Sequence, residues 1–363
     1  MSGFHHIGPN IRELRRKAGG TQTELAQRAG VQLPPLGRIE RGEAVPSGRV
    51  LMGLIRALGV SADAILGEGD RRSAGLALGG LPFRVDRDGS VLPTRCEQAG
   101  VELVRAMLAL EDFCGAPKRA TIPLTLPFDA VEDGMEALAE QVRTCAGLGH
   151  AVVFDYLELF ETLGLRVAVL PLPKEVDSFA HYDPEHLNAF FFLNQRTTGE
   201  RQLFRLAYEL GHVYLQTARL SRPAGPHPDP KQTGRCARKF AAYFLMPARA
   251  VHATVAQLGV QPGAWTIELL IRVKHRFGVS TEAFLYRLNE LGLIQPALVE
   301  KHKEAIRRHY QEGAAMEPGH TRRILSINGR IWDLVCVTRL QPDPPDELAE
   351  VEATLNRWKI ARV

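Results

Sequence analysis

The N-terminal part of the chain is divided into short segments by glycines and by helix-capping residues, and this division constrains its fold most. The segment "NIRELRRKAGG" has apolar residues at helical spacing and ends at Gly19 and Gly20. The next segment, "TQTELAQRAG", begins at Thr21, a residue type that caps helix N-termini, and ends at Gly30, a residue type that follows helix C-termini. We therefore predict a bundle of five short helices over residues 8–67.

The stretch "TQTELAQRAGVQLPPLGRIERG" has side chains of suitable size for two closely crossing helices. Ala26 and Gly30 are small enough to let the helices approach, and the core beneath them is predicted to contain Leu25, Val31, Leu36 and Ile39. Over residues 7–67 this pattern resembles the Xre/Cro repressor family of helix-turn-helix domains. The resemblance implies that the helix after the turn enters the major groove of double-stranded DNA.

The resemblance also implies which residues contact an operator. Gln22, at the start of the second helix, would meet a phosphate, and Arg38 would bridge the O6 and N7 atoms of a guanine. Basic residues of the bundle would add further phosphate contacts. The expected contact residues are Gln22, Gln32, Leu33, Pro34, Gly37, Arg38 and Arg41, with Arg12, Arg15, Arg16 and Lys17 as further phosphate ligands.

Pro34 and Pro35 depart from the family pattern. Proline is tolerated in the first helical turn because its missing N–H has no intrahelical partner there, so we expect the fold to form. Leu33 and Pro34 can offer only apolar contact, for example to a thymine methyl group, so few direct hydrogen bonds to bases are expected. The alternative interpretation is a protein-binding module that no longer reads DNA.

The rest of the chain changes composition at several points. Residues 68–92 are rich in Gly, Arg, Asp and Pro and are interpreted as a linker with a weak hairpin at Asp88 and Gly89. Helical and strand-like segments then alternate, so a multidomain fold is predicted that is mainly α and contains one α+β domain. The predicted divisions are 1–67 for the helix-turn-helix domain, 68–127 for a linker and helical connector, 128–295 for the α+β domain, and 296–363 for a C-terminal hairpin and helix of unassigned role.

The segment "LAYELGH" differs by one residue from the helical H-E-x-x-H motif of zinc proteases. In that motif two histidines one turn apart bind zinc, and the glutamate between them activates a metal-bound water. Tyr208 stands in place of the first histidine, while Glu209 and His212 keep the other two positions. The segment therefore retains the base of the motif and one of its metal ligands.

The segments "LGLRVAVLPLP", "FFFLNQRTTGERQLFRLAYELGHVYL", "FAAYFLMP" and "FGVSTEAFLYRLNELGLI" together resemble the ImmA/IrrE metallopeptidase family over residues 128–295. The resemblance implies a zincin-like α+β domain, and its fusion to an Xre domain resembles a class of bacterial transcription regulators. In the family a glutamate shortly before "FAA" is the third zinc ligand, whereas Arg235 and Cys236 occupy that place here. We therefore expect no cofactor and no catalytic residue, with Glu209 vestigial and Tyr208 filling the former metal cavity.

A substitute metal site is the alternative. Tyr208 as phenolate, His212, and Cys236 as thiolate would form an unusual oxygen, nitrogen and sulfur set for zinc. A phenol must first lose a proton whose ordinary pKa is about 10. Three further histidines and a neighbouring tyrosine are interpreted as surface residues in loops, namely His181, Tyr182, His186 and His227.

The C-terminal region has two recognisable patterns. The stretch "RRILSINGRIWDLVCVTRL" predicts a β-hairpin turning at Asn328 and Gly329. The stretch "DELAEVEATLNRWKIA" predicts an amphipathic helix with Leu348, Val351, Leu355 and Trp358 on one stripe. The basic run "KHKEAIRRHY" is interpreted as a solvated helix face.

Charge and cysteine content set broad limits. The 45 Lys and Arg against 41 Asp and Glu give a net charge of +4, which is too small to establish a polyanionic partner by itself. Five scattered cysteines without C-x-x-C spacing favour a reducing compartment. Without a signal peptide or an apolar run of about 20 residues, we expect a cytoplasmic protein that contacts no membrane.

These patterns together predict a sequence-specific transcription regulator, acting as a repressor, that binds operator DNA as a homodimer. Its degenerate metallopeptidase-like domain would sense a small-molecule or peptide effector, bind a partner, or support dimerisation, and the helix at 93–114 and the last helix are candidate dimer interfaces. One alternative is an active zinc metalloprotease that acts on Xre-type repressors. Another is a toxin–antitoxin or phage-defence component that mainly binds a second protein.

Overall fold

A computed structural model describes residues 7–17, 19–42, 44, 46–58, 92–153, 155–221, 229–311 and 327–360. The chain divides into two compact units, Met1–Gly80 and Leu81–Val363. In the part that the structure describes, no helix is long and apolar enough to cross a membrane. The predicted hairpin at Asp88 and Gly89, the fifth helix of the bundle and His227 all lie outside the described residues.

The first unit is helical, as predicted. Thr21 caps its second helix through a capping box with Glu24, and Gly30 ends that helix in the left-handed conformation, at φ 66°. A left-handed backbone favours glycine because it has no Cβ. The described helices of this unit are α1 Ile7–Lys17, α2 Gln22–Ala29, α3 Leu33–Glu40 and α4 Gly48–Leu58.

At two positions in this bundle a glycine lets the backbones of two helices approach closely. A Cβ added to Gly8 would clash with the carbonyl oxygen of Ile39, and one added to Gly53 would clash with that of Ala29. The predicted role of Gly30 in helix crossing is wrong, because a Cβ there would meet open space and the residue is needed for its backbone conformation. The buried apolar residues beneath the helices are Ile7, Ile11, Leu25, Ala26, Leu36, Ile39, Leu54 and Ala57.

The second unit combines helices with one small sheet, which confirms the predicted mainly α fold with an α+β part. Its described helices are α5 Thr94–Cys114, α6 Met135–Cys145, α7 Tyr156–Thr162, α8 Gly199–Ser221, α9 Pro230–Leu245, α10 Ala248–Leu258, α11 Ile267–Lys274, α12 Thr281–Glu290, α13 Pro296–Gln311, α14 Gly329–Arg339 and α15 Leu348–Arg357.

The sheet has three strands, β1 Arg166–Leu170, β2 Ser178–Asp183 and β3 Asn188–Asn194, in the order β1-β3-β2. β3 pairs with β1 in parallel and with β2 in antiparallel orientation. The apolar runs from Val167 to Leu172 and in "NAFFFLNQ" predict β1 and β3, whereas the residues of β2 fall in the stretch interpreted above as a loop. That interpretation is wrong for His181 and Tyr182, because both lie in β2 and the Tyr182 side chain is buried.

The predicted C-terminal hairpin is also wrong where the structure describes it. Asn328 has a positive φ of 60°, but the residues after it form α14 instead of a strand. The reason is the spacing of the buried residues of this segment, which follows a helix, namely Ile331, Trp332, Val335 and Thr338. The first predicted arm, residues 321–326, lies outside the described residues.

Asn328 attaches this C-terminal region to the sheet. Its side-chain oxygen accepts the backbone N–H of Val169 at 2.7 Å, and its amide nitrogen donates to the carbonyl of the same residue at 3.1 Å. The single side chain thereby pairs with strand β1 as a neighbouring strand would, because it satisfies one donor and one acceptor of the strand.

The C-terminal helices α14 and α15 then pack against α5. Glu102 of α5 accepts the indole N–H of Trp358 at 2.8 Å and pairs with Arg357 at 2.8 Å. The apolar stripe of α15 is buried at Leu348, Val351 and Leu355. These two helices pack against each other within one chain, and their part in a dimer interface stays a prediction.

We predict that Asn328→Ala lowers the free energy of unfolding by about 1–3 kcal/mol, because the buried N–H and C=O of Val169 lose their partner. Asn356→Ala, at an exposed position of α15, is the matched control and should change it by less than about 0.5 kcal/mol. Urea unfolding followed by tryptophan fluorescence measures both. Equal effects of the two substitutions would contradict the role of Asn328.

Candidate functional site

The outer surface of α3 and the residues beside it form the first candidate site. Gln32, Leu33, Pro34, Arg38 and Arg41 are exposed, and Leu33 is 43% exposed. Gly37 is buried, and a Cβ there would lie 3.4 Å from an Arg41 guanidinium nitrogen. Leu33, Gly37 and Arg41 follow at intervals of four residues and therefore share one side of α3, where the buried Gly37 lies next to the Arg41 guanidinium.

The beginning of α3 is unusual in its hydrogen-bonding capacity. Pro34 and Pro35 occupy the first turn and carry no N–H, and the Gln32 side chain makes no capping hydrogen bond to the helix within the described residues. The N–H of Leu36 is already bonded to the carbonyl of Gln32 at 3.3 Å. The tip of the helix is therefore composed mainly of hydrocarbon, at the position where helices usually offer several free N–H donors.

Arg15, Gln22 and Glu40 form a charged cluster inside the first unit. The Arg15 guanidinium binds both oxygens of the buried Glu40 carboxylate, at 2.7 and 2.8 Å, and donates to the carbonyl of Gly20 at 2.9 Å. The Gln22 amide nitrogen donates to the same carboxylate at 2.7 Å. Burial raises the pKa of Glu40, but hydrogen bonds from Arg15 and Gln22 outweigh burial and hold that pKa below its ordinary value.

This cluster corrects one expected phosphate ligand. Arg15 is used to neutralise Glu40, since a carboxylate buried without a partner would be costly. Arg12 and Arg16 are exposed, and the Lys17 side chain lies outside the described part. The amide nitrogen of Gln22 is also committed inside the domain, and its phosphate contact stays a prediction. Arg12, Arg16 and Arg41 remain as exposed basic residues of the first unit.

We predict that Glu40→Gln destabilises helices α1 to α3 by about 1–3 kcal/mol at pH 7, because the charged hydrogen bonds to Arg15 are lost. The pKa of Glu40 is lower in the folded than in the unfolded chain, so its contribution is complete at neutral pH and is lost as the pH falls below about 4.3. The difference in stability between the variant and the unsubstituted protein should therefore become smaller in acid. Hydrogen exchange of the full-length chain measures it, with the exposed Glu13→Gln as control, and a gap independent of pH would contradict the assignment.

The second candidate site lies on α8, where the segment "LAYELGH" is helical as predicted. Tyr208 is only 4% exposed, and its ring meets that of His212 edge-on with 4.5 Å between the centroids. The Arg205 guanidinium lies 5.2 Å from the Tyr208 ring centroid. A Cβ added to Gly234 of α9 would lie 3.5 Å from the Tyr208 hydroxyl oxygen. The phenol ring therefore spans from α8 to the helix that would supply the third ligand.

Glu209 is committed to a partner on the sheet. Its carboxylate is buried and accepts a hydrogen bond of 2.6 Å from the Ser178 hydroxyl of β2. Next to Ser178, Asp177 pairs with Arg201 at 2.6 Å and with Arg205 at 2.9 Å. Sequence reasoning missed these polar residues because β2 itself was not predicted. A carboxylate held by a buried serine is positioned as a structural acceptor.

The residues at the position of the third zinc ligand do not supply a metal ligand. Arg235 pairs with Glu132 at 2.9 Å, so its side chain is directed to the 3-10 turn Glu132–Gly134. Cys236 is buried, and burial raises the pKa of its thiol, which opposes formation of a thiolate. Among the described residues, no group of three or more His, Cys, Asp or Glu side chains could hold a metal ion. These residues do not fit the zinc ion that the family resemblance implies.

We predict that the purified protein contains far less than one equivalent of zinc and that His212→Ala leaves the zinc content unchanged. The reason is that only one of the three ligands of the motif is present at the matched positions. Elemental analysis after dialysis against zinc measures the content, with the exposed His252→Ala as control. Near-stoichiometric zinc that is lost in His212→Ala but kept in His252→Ala would contradict this prediction.

Comparison with known proteins assigns the two candidate sites to two different domain families. Residues 11–65 match the model of the helix-turn-helix family, and residues 160–289 match that of the IrrE N-terminal-like domain. The chain thus carries an Xre-type helix-turn-helix domain and an IrrE/ImmA-like domain in one polypeptide. The first domain makes it a DNA-binding regulator by class.

Other comparisons add little. No curated protein matches the chain. The apo form of the competence regulator ComR from Streptococcus vestibularis is a similar solved structure, with 13% sequence identity over 99% of this chain and 100% of that chain. Its TM-score is 0.18, so it supports no argument about shared structure or function.

Proposed function

We propose that this protein is a transcription repressor that binds a specific operator as a homodimer. The observation that carries the proposal is the exposed surface of α3, where Arg38 and Arg41 follow the apolar tip on one side of the helix. Guanidinium groups suit both guanine edges and phosphates, which are the contacts that a recognition helix makes. Dimers of such domains place two recognition helices one helical turn of DNA apart. We also place this activity in the cytoplasm.

The polar groups of the first unit support this use of α3. The buried Glu40 is neutralised within the domain by Arg15, so it does not oppose the approach of a phosphate backbone with an unpaired charge. Arg12 and Arg16 stay exposed and can contribute to sequence-independent attraction. Specific readout then depends on Arg38 and on the residues at the beginning of α3.

We propose further that the IrrE-like domain regulates DNA binding without peptidase chemistry. Support comes from the residues at its degenerate motif, since Tyr208 contacts His212 and reaches α9, while Glu209 is bonded to Ser178. With its former base used in a hydrogen bond, the domain would respond to a small molecule, a peptide or a partner protein by binding alone. A thermal-shift screen of metabolites and short peptides tests this proposal, and the absence of any stabilising ligand would count against sensing.

We predict that Arg38→Ala weakens operator binding by about 1–3 kcal/mol, because a bidentate contact to a guanine is lost. Mobility shift on the upstream DNA of the protein's own gene, at fixed salt, measures the affinity. Arg307→Ala, which removes an exposed arginine of α13 in the other unit, is the matched control and should leave the affinity unchanged. Unchanged binding by Arg38→Ala would show that this residue is not the base-reading arginine.

A further inference from the structure

After the exposed amide of Gln32, the first three residues of α3 present mainly hydrocarbon. Leu33 is 43% exposed, and the two residues after it, Pro34 and Pro35, are exposed as well. Neither proline has an N–H, and the N–H of Leu36 bonds to Gln32, so among the first four helical residues described only Leu33 has an N–H outside the helix's own bonding. A helix tip of this kind can bind neither a phosphate nor a base edge through a set of backbone donors.

The chemistry of the major groove restricts what such a tip can recognise. The edges of the bases there carry hydrogen-bond donors and acceptors, and the apolar group among them is the C5-methyl group of thymine. A 5-methylcytosine carries the same group at the same ring position. An exposed leucine followed by two prolines can bury a methyl group, whereas the C5–H of an unmethylated pyrimidine offers less apolar surface to bury.

We propose that the Leu33-Pro34-Pro35 tip reads a C5-methylated pyrimidine in each half-site. This inference rests on the proposed function, because it requires that α3 lies in the major groove. Arg38 lies five residues after Leu33 along α3, about 7.5 Å along the helix axis. The methyl group is therefore expected close to the guanine that Arg38 contacts, and the arginine supplies the polar contact that the tip lacks.

The experiment replaces each thymine of the operator in turn by deoxyuridine, which removes the methyl group and keeps the base-pairing edge and the phosphate. The full-length protein is titrated with each duplex at constant salt. One thymine per half-site should be sensitive, with affinity falling about fourfold for each methyl group removed from contact. At the same position, 5-methylcytosine should bind more tightly than cytosine by a similar factor, which separates the methyl group from the base that carries it.

A double-mutant cycle assigns the effect to the tip. The deoxyuridine penalty is the ratio of the dissociation constants for the deoxyuridine and thymine duplexes. In Leu33→Ala this ratio should fall towards one, because the methyl group no longer has its apolar partner. Leu258→Ala, which removes an exposed leucine of the other unit, should keep the full penalty, and so should Arg38→Ala at its lower overall affinity. Leu33 is exposed, so its truncation is not expected to affect folding, and hydrogen exchange of α1 to α3 verifies this.

Two results would overturn the inference while leaving the proposed function intact. One is specific operator binding in which every deoxyuridine is tolerated; the other is a deoxyuridine penalty that is equal in Leu33→Ala and in the unsubstituted protein. A chain that binds its upstream DNA no better than scrambled DNA would overturn the proposed function and this inference with it.

Discussion

The fully buried guanidinium of Arg166 joins distant parts of the second unit. It binds Glu111 of α5 at 2.8 Å and Asp183 of β2 at 2.9 Å, and its guanidinium carbon lies 4.5 Å from the Phe190 ring centroid. Glu111 also pairs with Arg330 of α14 at 3.2 Å. A buried charge is stable only when it is paired, and removing one partner typically costs about 3–5 kcal/mol. One strand residue thereby fixes the connector helix, the sheet edge and the C-terminal region in one arrangement.

The side chains of the degenerate motif are also engaged in contacts inside the domain. Polar groups that a metallopeptidase would direct to zinc and water are used here for internal contacts, with Glu209 on Ser178 and the Tyr208 ring against His212. Among the described residues, α8 packs against α9 and against strands β2 and β3 of the sheet.

Much of the architecture could be predicted from the sequence, because helices carry their own signals. The cap at Thr21 and the glycine at position 30 are local features, and each lies where expected. β2 was missed because its residues, "SFAHYD", lack the apolar run of β1 and β3 and are buried only by tertiary pairing. The region after Asn328 was assigned to a strand because its β-branched content outweighed a helical spacing that becomes meaningful only against α5.

The candidate sites could likewise be predicted from the sequence only in part. The Tyr208 substitution and the apolar tip of α3 could be deduced from residue types, but the pairing of Arg15 with Glu40 and of Ser178 with Glu209 depends on contacts between distant segments. The most direct measurement is the affinity of the full-length protein for its own upstream DNA and for a scrambled duplex, before and after treatment with a chelator. We expect the upstream DNA to bind at least about 10³-fold more tightly at physiological salt, with no change on chelation. Equal affinity for both duplexes, or specific binding that disappears with the metal, would contradict a metal-independent DNA-binding regulator.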